Sequence, residues 1–302
     1  MEGRNQTVVA LGMFDGMHLG HRALIARAVR LAQEHCATAA AYTFANHPLE
    51  VLGRPVRLLS AAGEREALLR ACGAEELRME RFTRALADMP PEAFIEKLNA
   101  MWALCGIVVG FNYSFGKGGA GTPELLAQAG RRYGYFTEVL GPVEYRGAPV
   151  SSTRIRLALE EGDVSSAAEM LARPYALSGK VVANRRIGRR IGFPTANILL
   201  ADGRALPKDG VYASRARIVG GAGYPAVTNI GTNPTVNGAA LSVETHLIGY
   251  EGDLYGSRLT VEFLKRLRDE IRFDSVEALK RQIALDTERA RLLGGQICSA
   301  GL

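Results

Sequence analysis

The sequence predicts two folded parts: an α/β region built on a Rossmann-like, parallel, doubly wound sheet, then a small antiparallel β-barrel with a terminal helix. Three observations predict this class. The chain has 302 residues, and about 150 residues is a typical domain length. Strand-like and helix-like segments alternate over roughly the first half, as parallel sheets require. Beyond Arg173-Pro174 the pattern changes to short strands separated by turns rich in Gly, Asn and Pro, which is typical of a small barrel.

The first half alternates buried strands with amphipathic helices. Residues 7–12 form an apolar strand, and a Gly-rich turn leads into a helix over 21–35 whose apolar residues recur at helical spacing. The segments that follow are a strand at 39–44, helices at 61–71 and 91–101, a strand at 105–110, a helix at 123–133, a strand at 136–140, and helices at 152–161 and 164–171. Pro91 starts its helix at a position where proline is favoured.

The second half contains a series of short predicted strands. They are 181–182, 211–218, 226–230, 242–248 and 259–263. Ser275 is a predicted helix N-cap, and the helix after it carries an apolar stripe that should pack across the barrel. The stripe consists of Val276, Leu279, Ile283, Ala290 and Leu293. We therefore expect one domain over residues 1–173 and a second over 174–302.

Composition narrows the functional classes. Lys and Arg total 37 against 31 Asp and Glu, a formal charge of +6, which fits phosphate-bearing partners of any size from ATP to RNA. The four cysteines are scattered singly, so neither a disulfide framework nor a zinc site is predicted. No apolar run reaches the length of a membrane span, and the first residues lack a signal-peptide pattern. We expect a cytoplasmic protein with no membrane partner.

The sharpest local signal is the segment from Gly12 to His21, which places His18 and His21 three residues apart where a strand leads into a helix. A helix N-terminus favours phosphate through its free amides and dipole, and Gly20 lets the main chain come close. Two imidazoles there can stabilise charge that develops on a phosphorus. This His-x-Gly-His pattern indicates nucleotidyl transfer; the alternative is two ordinary turn histidines.

A second cluster, residues 151–156, brings three hydroxyl side chains to a helix start and adds Arg154 and Arg156. Hydroxyl donors and a guanidinium suit a triphosphate. An ordinary N-cap followed by surface arginines is the alternative interpretation.

In the second half, residues 188–197 combine glycines, arginines and a hydroxyl-amide pair. Glycines permit close approach of the main chain, and arginines neutralise phosphate. The Thr195 hydroxyl and the Asn197 carbonyl are hard oxygen ligands of the kind that Mg²⁺ accepts together with phosphate oxygens. Without further context, a basic solvated turn explains the same residues.

Together these motifs resemble the bacterial bifunctional riboflavin kinase/FMN adenylyltransferase (FAD synthetase) family over nearly the whole chain. In the first domain the resemblance rests on residues 12–21, 43–48, 109–116 and 151–156. In the second it rests on the Gly-Phe-Pro-Thr-Ala-Asn run at 192–197 and on 209–212, 229–235, 243–247 and 254–256.

For the first domain the resemblance implies adenylylation of FMN by MgATP to give FAD. His18 and His21 are then the catalytic residues that hold the phosphates. ATP binding falls to Gly12, Phe14, Asp15, Gly20, Ser152, Thr153 and Arg156. The FMN and adenine pocket falls to His47, Pro48 and Asn112. A phosphate monoester is already an anionic nucleophile at neutral pH, so no general base is expected.

For the second domain the resemblance implies phosphorylation of riboflavin to FMN by MgATP, with Glu244 as general base. A solvated strand carboxylate is the alternative for Glu244, and His246 receives no role. ATP binding falls to Gly188, Arg189, Gly192, Thr195 and Asn197, of which Thr195 and Asn197 are also the expected Mg²⁺ ligands.

Three residues depart from the family pattern. Gly119 stands where a basic residue is frequent, a charge that Lys117 is available to supply; Asn46 stands where proline is usual, and Asn233 where arginine is frequent.

The first departure motivates a second hypothesis, a kinase with an impaired first domain. A nucleic-acid-binding module is a third, motivated by the arginines at 185, 186, 189 and 190. Only Phe193 supplies an aromatic ring there, and base stacking needs interleaved aromatics. The predicted partners are therefore riboflavin, FMN and ATP, with no nucleic acid, in a monomer or weak homo-oligomer.

Overall fold

The computed structural model describes residues 6–182, 192–201, 203–218, 220–235 and 238–298, with side chains left out at 232–241 and 294–298. The chain divides into two compact units, residues 1–152 and 153–302. Within the described residues, no helix combines the length and apolar character that crossing a bilayer demands.

The first unit is an α/β sandwich. Its elements are β1 (Gln6–Leu11), α1 (Leu19–Glu34), β2 (Thr38–Phe44), α2 (Pro48–Val51), α3 (Ala62–Ala71), β3 (Glu76–Glu80), α4 (Arg84–Ala87), α5 (Pro91–Met101), β4 (Ala103–Gly110), α6 (Pro123–Tyr133), β5 (Phe136–Leu140), β6 (Glu144–Tyr145) and β7 (Ala148–Pro149). β1 to β5 form one parallel sheet in the order β3-β2-β1-β4-β5, and β6 pairs with β7 in a short hairpin.

Both faces of this sheet are covered. Along β1, Val8 and Ala10 pack into a cluster with the apolar side of α1, whereas Val9 and Leu11 pack into a second cluster with α5. Alternate residues of a strand point to opposite faces, and a parallel sheet with helices on both faces needs apolar residues on both. The apolar run in β1 is therefore what allows this strand to lie in the middle of the sheet.

The order of the strands creates a crevice at one edge. From β1 the chain proceeds outward to β2 and β3, and then returns to place β4 on the other side of β1. In open parallel sheets, ligands bind at such a reversal, beyond the carboxyl ends of the strands. The segment after β1 contains His18 and His21, and the segment after β4 contains Asn112. Both sequence motifs therefore lie at the same edge.

The second unit is a barrel with helices. Its elements are α7 (Ser152–Glu161, from Thr153 on), α8 (Val164–Leu171), β8 (Tyr175–Val182), β9 (Ala196–Leu199), β10 (Gly210–Ile218), β11 (Gly223–Thr235), β12 (Gly238–Leu247), β13 (Arg258–Arg268) and α9 (Val276–Cys298). The six strands close in the order β10-β11-β12-β9-β8-β13, and each pair is antiparallel.

A row of hydroxyls lies inside the barrel. Thr228 Oγ1 is 2.7 Å from Ser214 Oγ and 3.1 Å from Thr245 Oγ1, and all three residues are fully buried. These hydroxyls come from β10, β11 and β12, so they fix the pairing of three neighbouring strands while satisfying one another, as buried polar groups must.

The predicted fold class is confirmed in both parts, and the structure corrects its details. β3 and β9 were not predicted as strands; β3 is a charged edge strand, and β9 is a four-residue strand in a segment assigned to a turn. Ser275 does cap α9, because its Oγ accepts the Ala278 amide at 3.1 Å. The predicted stripe of α9 is wrong at Val276, which is half exposed. Ala290 and Leu293 make the contact with the barrel, in a cluster that does not include the first turn.

Candidate active sites

The loop between β1 and α1 is tightly folded. Phe14 and Met17 have positive φ, at 51° and 44°, which is uncommon for residues other than glycine. The Phe14 ring lies over Gly12, where an added Cβ would come within 3.0 Å of it, so Gly12 is needed for this packing. The Gly12 amide donates to the Tyr42 carbonyl and the Thr43 hydroxyl donates to the Met13 carbonyl. Contacts with β2 therefore hold this loop in shape.

His18 and His21 form a stacked pair at the start of α1. Their ring centroids are 3.6 Å apart with an interplanar angle of 19°. His18 is the N-cap of the helix, and its Nδ1 accepts the His21 amide at 3.4 Å. Phe14 packs edge-on against His21. Nδ1 of His21 is buried and has no hydrogen-bond partner among the described residues.

Burial controls the protonation of this pair. It lowers the pKa of His18 to about 4, with a smaller opposing effect from the Asp15 carboxylate. Burial also lowers the pKa of His21 well below its ordinary value, and the charges of His18 and Arg65 lower it further. Both imidazoles are therefore neutral at neutral pH. A bound phosphate would favour their protonation, since an anion nearby stabilises the charged form.

A cavity of about 430 Å³ opens beside His21 at the crevice of the sheet. Its lining is mainly aromatic and aliphatic, and of the predicted site residues it includes Gly12, Phe14, His21, Pro48 and Asn112. The further rings are Phe44, Phe82, Phe94, Tyr113 and Phe115. Burial raises the pKa of the Tyr113 phenol. A largely apolar cavity with a few polar groups is suited to a flat aromatic ligand.

The two departures from the family pattern in this domain have structural explanations. Asn46 exchanges hydrogen bonds with the main chain of Phe82, accepting its amide at 2.8 Å and donating to its carbonyl at 3.1 Å. Gly119 lines the cavity with φ of 71°, a conformation that favours glycine. Lys117 is exposed, and it is not among the residues that line the cavity.

Other predicted residues of this site make contacts within the protein. His47 caps α2, because its Nδ1 accepts the Leu49 amide at 3.2 Å. Gly20 lies against the His18 ring. The Asp15 carboxylate is buried and is bound by main-chain amides, whereas the Asp15 carbonyl accepts the Ser152 hydroxyl at 2.9 Å. Thr153 and Arg156 follow Ser152 on α7, within the second unit.

In the second unit, strand pairing places three polar residues side by side. Glu244 on β12 is paired with Asn197 on β9 and with Asn229 on β11. Their neighbours in sequence are buried in the barrel, so by alternation these three side chains point outward. Asn229 Nδ2 also donates to Glu270 Oε1 at 3.0 Å. The pairing therefore brings the predicted base next to a predicted ligand of ATP and Mg²⁺.

The turn before β9 is held by His246. Nδ1 of His246 donates to the Pro194 carbonyl at 2.8 Å, and the His246 ring packs edge-on against Phe193. Thr195 lies between this anchored segment and Asn197. Gly192 is exposed with φ of 89°. The predicted residues Gly188 and Arg189 lie outside the described residues, as do the arginines at 185, 186 and 190.

The donor set at this turn fits Mg²⁺. Thr195 and Asn197 offer a hydroxyl and an amide oxygen two residues apart, next to Glu244 across the strand pair. Hard oxygen ligands supplemented by phosphate oxygens and water are what Mg²⁺ prefers. Among the residues that the structure describes, no group of three or more His, Cys, Asp or Glu side chains is arranged to hold a metal.

Some residues of these sites carry no local sequence signal. Arg65, on α3, is fully buried behind Asp15, yet in the sequence it reads as one more charge on a helix. Asn229 and Glu270 meet only because β11 lies beside the segment after β13. Arg65 and Asp15 come together only when the unit folds, so no spacing in the sequence predicts that they form a buried pair.

Comparison with known proteins agrees with the two units. Residues 1–154 match the family model described as FAD synthetase, and residues 171–293 match the model described as riboflavin kinase. The bifunctional riboflavin kinase/FMN adenylyltransferase of Bacillus subtilis (strain 168) is 35% identical over 297 residues, covering 96% of this chain and 93% of that protein. The enzyme of the same name from Escherichia coli (strain K12) is 36% identical over 288 residues, covering 94% and 91%.

A solved structure has the same fold over both units. The crystal structure of a Streptococcus pneumoniae protein named as a macrolide-efflux protein superposes with a TM-score of 0.87 at 34% identity, covering 96% of this chain and 95% of that chain. The range matched by the FAD synthetase model contains the parallel sheet with its crevice, and the range matched by the riboflavin kinase model contains the barrel strands. This chain therefore belongs to the family of bifunctional riboflavin kinases/FMN adenylyltransferases, with its FAD synthetase region first and its riboflavin kinase region second.

Proposed function

We propose that this enzyme performs its two reactions, riboflavin to FMN and FMN to FAD, with two separate residue sets. His18 and His21 serve adenylyl transfer, and Glu244, Thr195 and Asn197 serve phosphorylation. The stacked histidine pair at a helix start beside a 430 Å³ cavity carries the first assignment. The pairing of Glu244 with Asn197 carries the second.

In adenylyl transfer, a phosphate oxygen of FMN attacks the α-phosphorus of ATP, and pyrophosphate leaves. His18 and His21 hold the phosphates where charge develops on the reacting phosphorus, an effect that is worth most when the donors are already oriented. Gly12, Phe14 and Gly20 shape the loop around them, while Pro48 and Asn112 line the cavity on the flavin and adenine side. His47, the N-cap residue directly before Pro48, belongs to the same assignment. Asp15 belongs to the same ATP-binding assignment. It contributes through its carbonyl, which accepts the Ser152 hydroxyl, and through its carboxylate, which accepts main-chain amides and so fixes the loop. Ser152, Thr153 and Arg156 bind the polyphosphate.

In phosphorylation, the riboflavin 5′-hydroxyl attacks the γ-phosphorus of ATP, and ADP leaves. Glu244 accepts the hydroxyl proton. Gly192 lets the main chain approach the nucleotide, and Gly188 and Arg189 belong to the same assignment. Mg²⁺ bound by Thr195 and Asn197 would neutralise phosphate charge.

We assign residues 1–173 to the adenylyltransferase domain and 174–302 to the kinase domain. The boundary between the two compact units lies earlier, before Thr153, because α7 and α8 belong to the unit that contains the barrel. Two fragments that begin at Thr153 and at Pro174 separate the alternatives. If both phosphorylate riboflavin, the helices are dispensable for the kinase. A folded but inactive Pro174 fragment would contradict our boundary.

A single assay tests the function as a whole: the protein is incubated with riboflavin, ATP and Mg²⁺, and the flavins are separated by chromatography. We expect FMN early and FAD later, and no product when EDTA replaces Mg²⁺. FMN that is never converted would favour an impaired first domain, the hypothesis raised by Gly119. Unchanged riboflavin would contradict the assignment.

The remaining parts of the proposal concern the state of the protein. We propose a cytoplasmic monomer or weak homo-oligomer that does not bind nucleic acid. Sedimentation velocity at several protein concentrations tests the first statement, and fractionation of the source cells tests the location. Filter binding with random RNA at physiological salt tests the last, since a basic surface that binds backbone phosphates would retain RNA.

A further inference from the structure

The loop between β1 and α1, residues 12–18, is called the histidine loop below. Behind it lies a buried polar cluster whose residues are not among those that line the cavity. The Asp15 carboxylate, 1% exposed, accepts the amides of Leu59 and Ser60 at 3.0 Å each and the Ser60 hydroxyl at 3.3 Å. Ser60 Oγ in turn accepts the Gly16 amide at 3.0 Å. These bonds tie the loop to the segment that precedes α3, forty-four positions away in the chain.

Arg65 completes the cluster from α3. It is 0% exposed, and its Nη2 donates to the carbonyls of Phe44 and Ala45 at 2.7 Å and 3.0 Å. Its Nη1 lies 3.7 Å from Asp15 Oδ1. One guanidinium thus joins the histidine loop to the end of β2, beyond which Pro48 lines the cavity. The fork of guanidinium donors can make such a link in fixed geometry, which the single ammonium of lysine cannot.

The loop needs this support. Phe14 and Met17 hold positive φ angles, and strained residues keep such angles only where the surroundings impose them. His18, which follows directly, is the N-cap that orients the stacked pair. Removing one partner of a buried ion pair leaves the other charge uncompensated, which is strongly destabilising. Arg65 therefore acts on the position of both histidines and of the flavin side of the cavity.

Charge adds a second effect. Burial is the main cause that lowers the pKa of His21, but the Arg65 charge lowers it in the same direction. The Arg65 guanidinium is therefore close enough to His21 to change the electrostatic potential where the proposed function places the phosphate charge.

We propose that Arg65 is a positioning residue for adenylyl transfer, fixing the histidine loop against the end of β2 through Asp15 and the Phe44 and Ala45 carbonyls. The proposal rests on the role given above to His21. Misplacement of reacting groups by about 1 Å costs on the order of 10²-fold in rate. The loss should appear in kcat for FAD formation and leave riboflavin phosphorylation by the same chain unchanged.

The test compares Arg65→Met and Arg65→Lys in the full-length enzyme, with Arg70→Met as matched control. Arg70 lies on the same helix but is exposed and paired with Glu66. Fluorescence of Trp102, the single tryptophan, reports whether the first unit is folded, and kinase activity serves as internal reference. We expect kcat for FAD formation to fall about 10²-fold in Arg65→Met, less in Arg65→Lys and not at all in Arg70→Met, with KM for FMN and ATP within about threefold.

Three results would overturn the proposal. They are a folded Arg65→Met enzyme with parent kcat, a loss confined to KM, and, should Arg65→Met not fold, an Arg65→Lys enzyme with parent kcat. His21→Ala in the same assay separates this proposal from the function on which it rests. If His21→Ala retains FAD formation, the role of the histidines is wrong; if it loses FAD formation while Arg65→Met does not, only the role of Arg65 is wrong.

Discussion

The two active sites of this enzyme are built in opposite ways. The proposed adenylyl-transfer site is assembled from loops that follow separate strands of a parallel sheet, and its framework is buried: His18 is 7% exposed, Asp15 1% and Arg65 0%. The proposed kinase site takes Glu244 and Asn197 from neighbouring antiparallel strands, next to Asn229, and all three are half-buried on the outer face of the barrel. Loops without mutual main-chain pairing need side-chain tethers, whereas a strand ladder positions its residues through the main chain alone.

This difference predicts that the kinase site tolerates side-chain changes except at the reacting group itself. Glu244→Gln keeps the size and hydrogen-bonding reach of the side chain but cannot accept a proton. Because general-base catalysis is worth roughly 10²- to 10⁴-fold, kcat for riboflavin phosphorylation should fall by that factor, with KM for MgATP little changed. Steady-state kinetics of FMN formation checks it.

The matched control is Glu251→Gln, an exposed glutamate just after β12, which should behave as the parent enzyme. FAD formation from added FMN should also be unchanged. Loss of MgATP binding in Glu244→Gln, measured by calorimetry, would instead make Glu244 a metal or structural residue. An unchanged kcat would place the base elsewhere.

In the proposed adenylyl-transfer site, removal of a group that stabilises the transition state should lower the rate by about 10²- to 10³-fold. His21→Ala should therefore lower FAD formation by that factor and leave FMN formation intact. His35→Ala, at the far end of α1 and exposed, is the control. If His21→Ala kept both activities, the histidine pair would be structural.

Burial of the histidines also predicts a pH dependence of stability that is confined to the first unit. The folded state holds the pKa of His18 at about 4, below its ordinary value of 6.5. Between these values the unfolded chain binds a proton that the folded chain does not. The stabilisation is thus complete above the unfolded pKa and is lost as the pH falls toward the folded one, by about 3 kcal/mol for a shift of this size.

Urea unfolding followed by Trp102 fluorescence at about pH 7 and about pH 5 should show about 2 kcal/mol of this loss, because pH 5 still lies above the folded pKa. His18→Gln should flatten the profile, while His35→Gln should not. Equal profiles for the parent and His18→Gln would show that His18 titrates normally in the folded protein.

The smallest effect on activity is expected for a change inside the barrel, because strand pairing rather than a single side chain sets the position of Glu244. Thr228→Val removes a hydroxyl that bridges Ser214 and Thr245, leaving their oxygens with one partner fewer, at a cost of about 1–3 kcal/mol. Thr260→Val, which breaks a single partly exposed pair with Ser178, should cost less. Because the ladder still sets the position of Glu244, kcat for phosphorylation should stay within about twofold of the parent. A large fall in kcat would mean that the hydroxyl row helps to place Glu244.

Sequence patterns predicted much of both units, for reasons visible in particular residues. The bounds of α6 and β5 match the prediction because their apolar patterns are regular and end at turn signals such as Gly134. β3 was missed because an edge strand buries little and is free to carry charge. β9 was missed because its four residues follow a turn motif and include Asn197, a poor strand former.

What the sequence by itself determined was the set of groups able to do chemistry: two imidazoles around Gly20, the hydroxyl and amide of Thr195 and Asn197, and the Glu244 carboxylate. Residue type and local spacing fix those groups, because helix and strand geometry is local. The tertiary structure decided how they are held. The meeting of Arg65 with Asp15 and with the end of β2, and of Asn229 with Glu270, depends on chain segments far apart in sequence. Only the packing of the whole unit brings such segments together, so no local pattern encodes their contact.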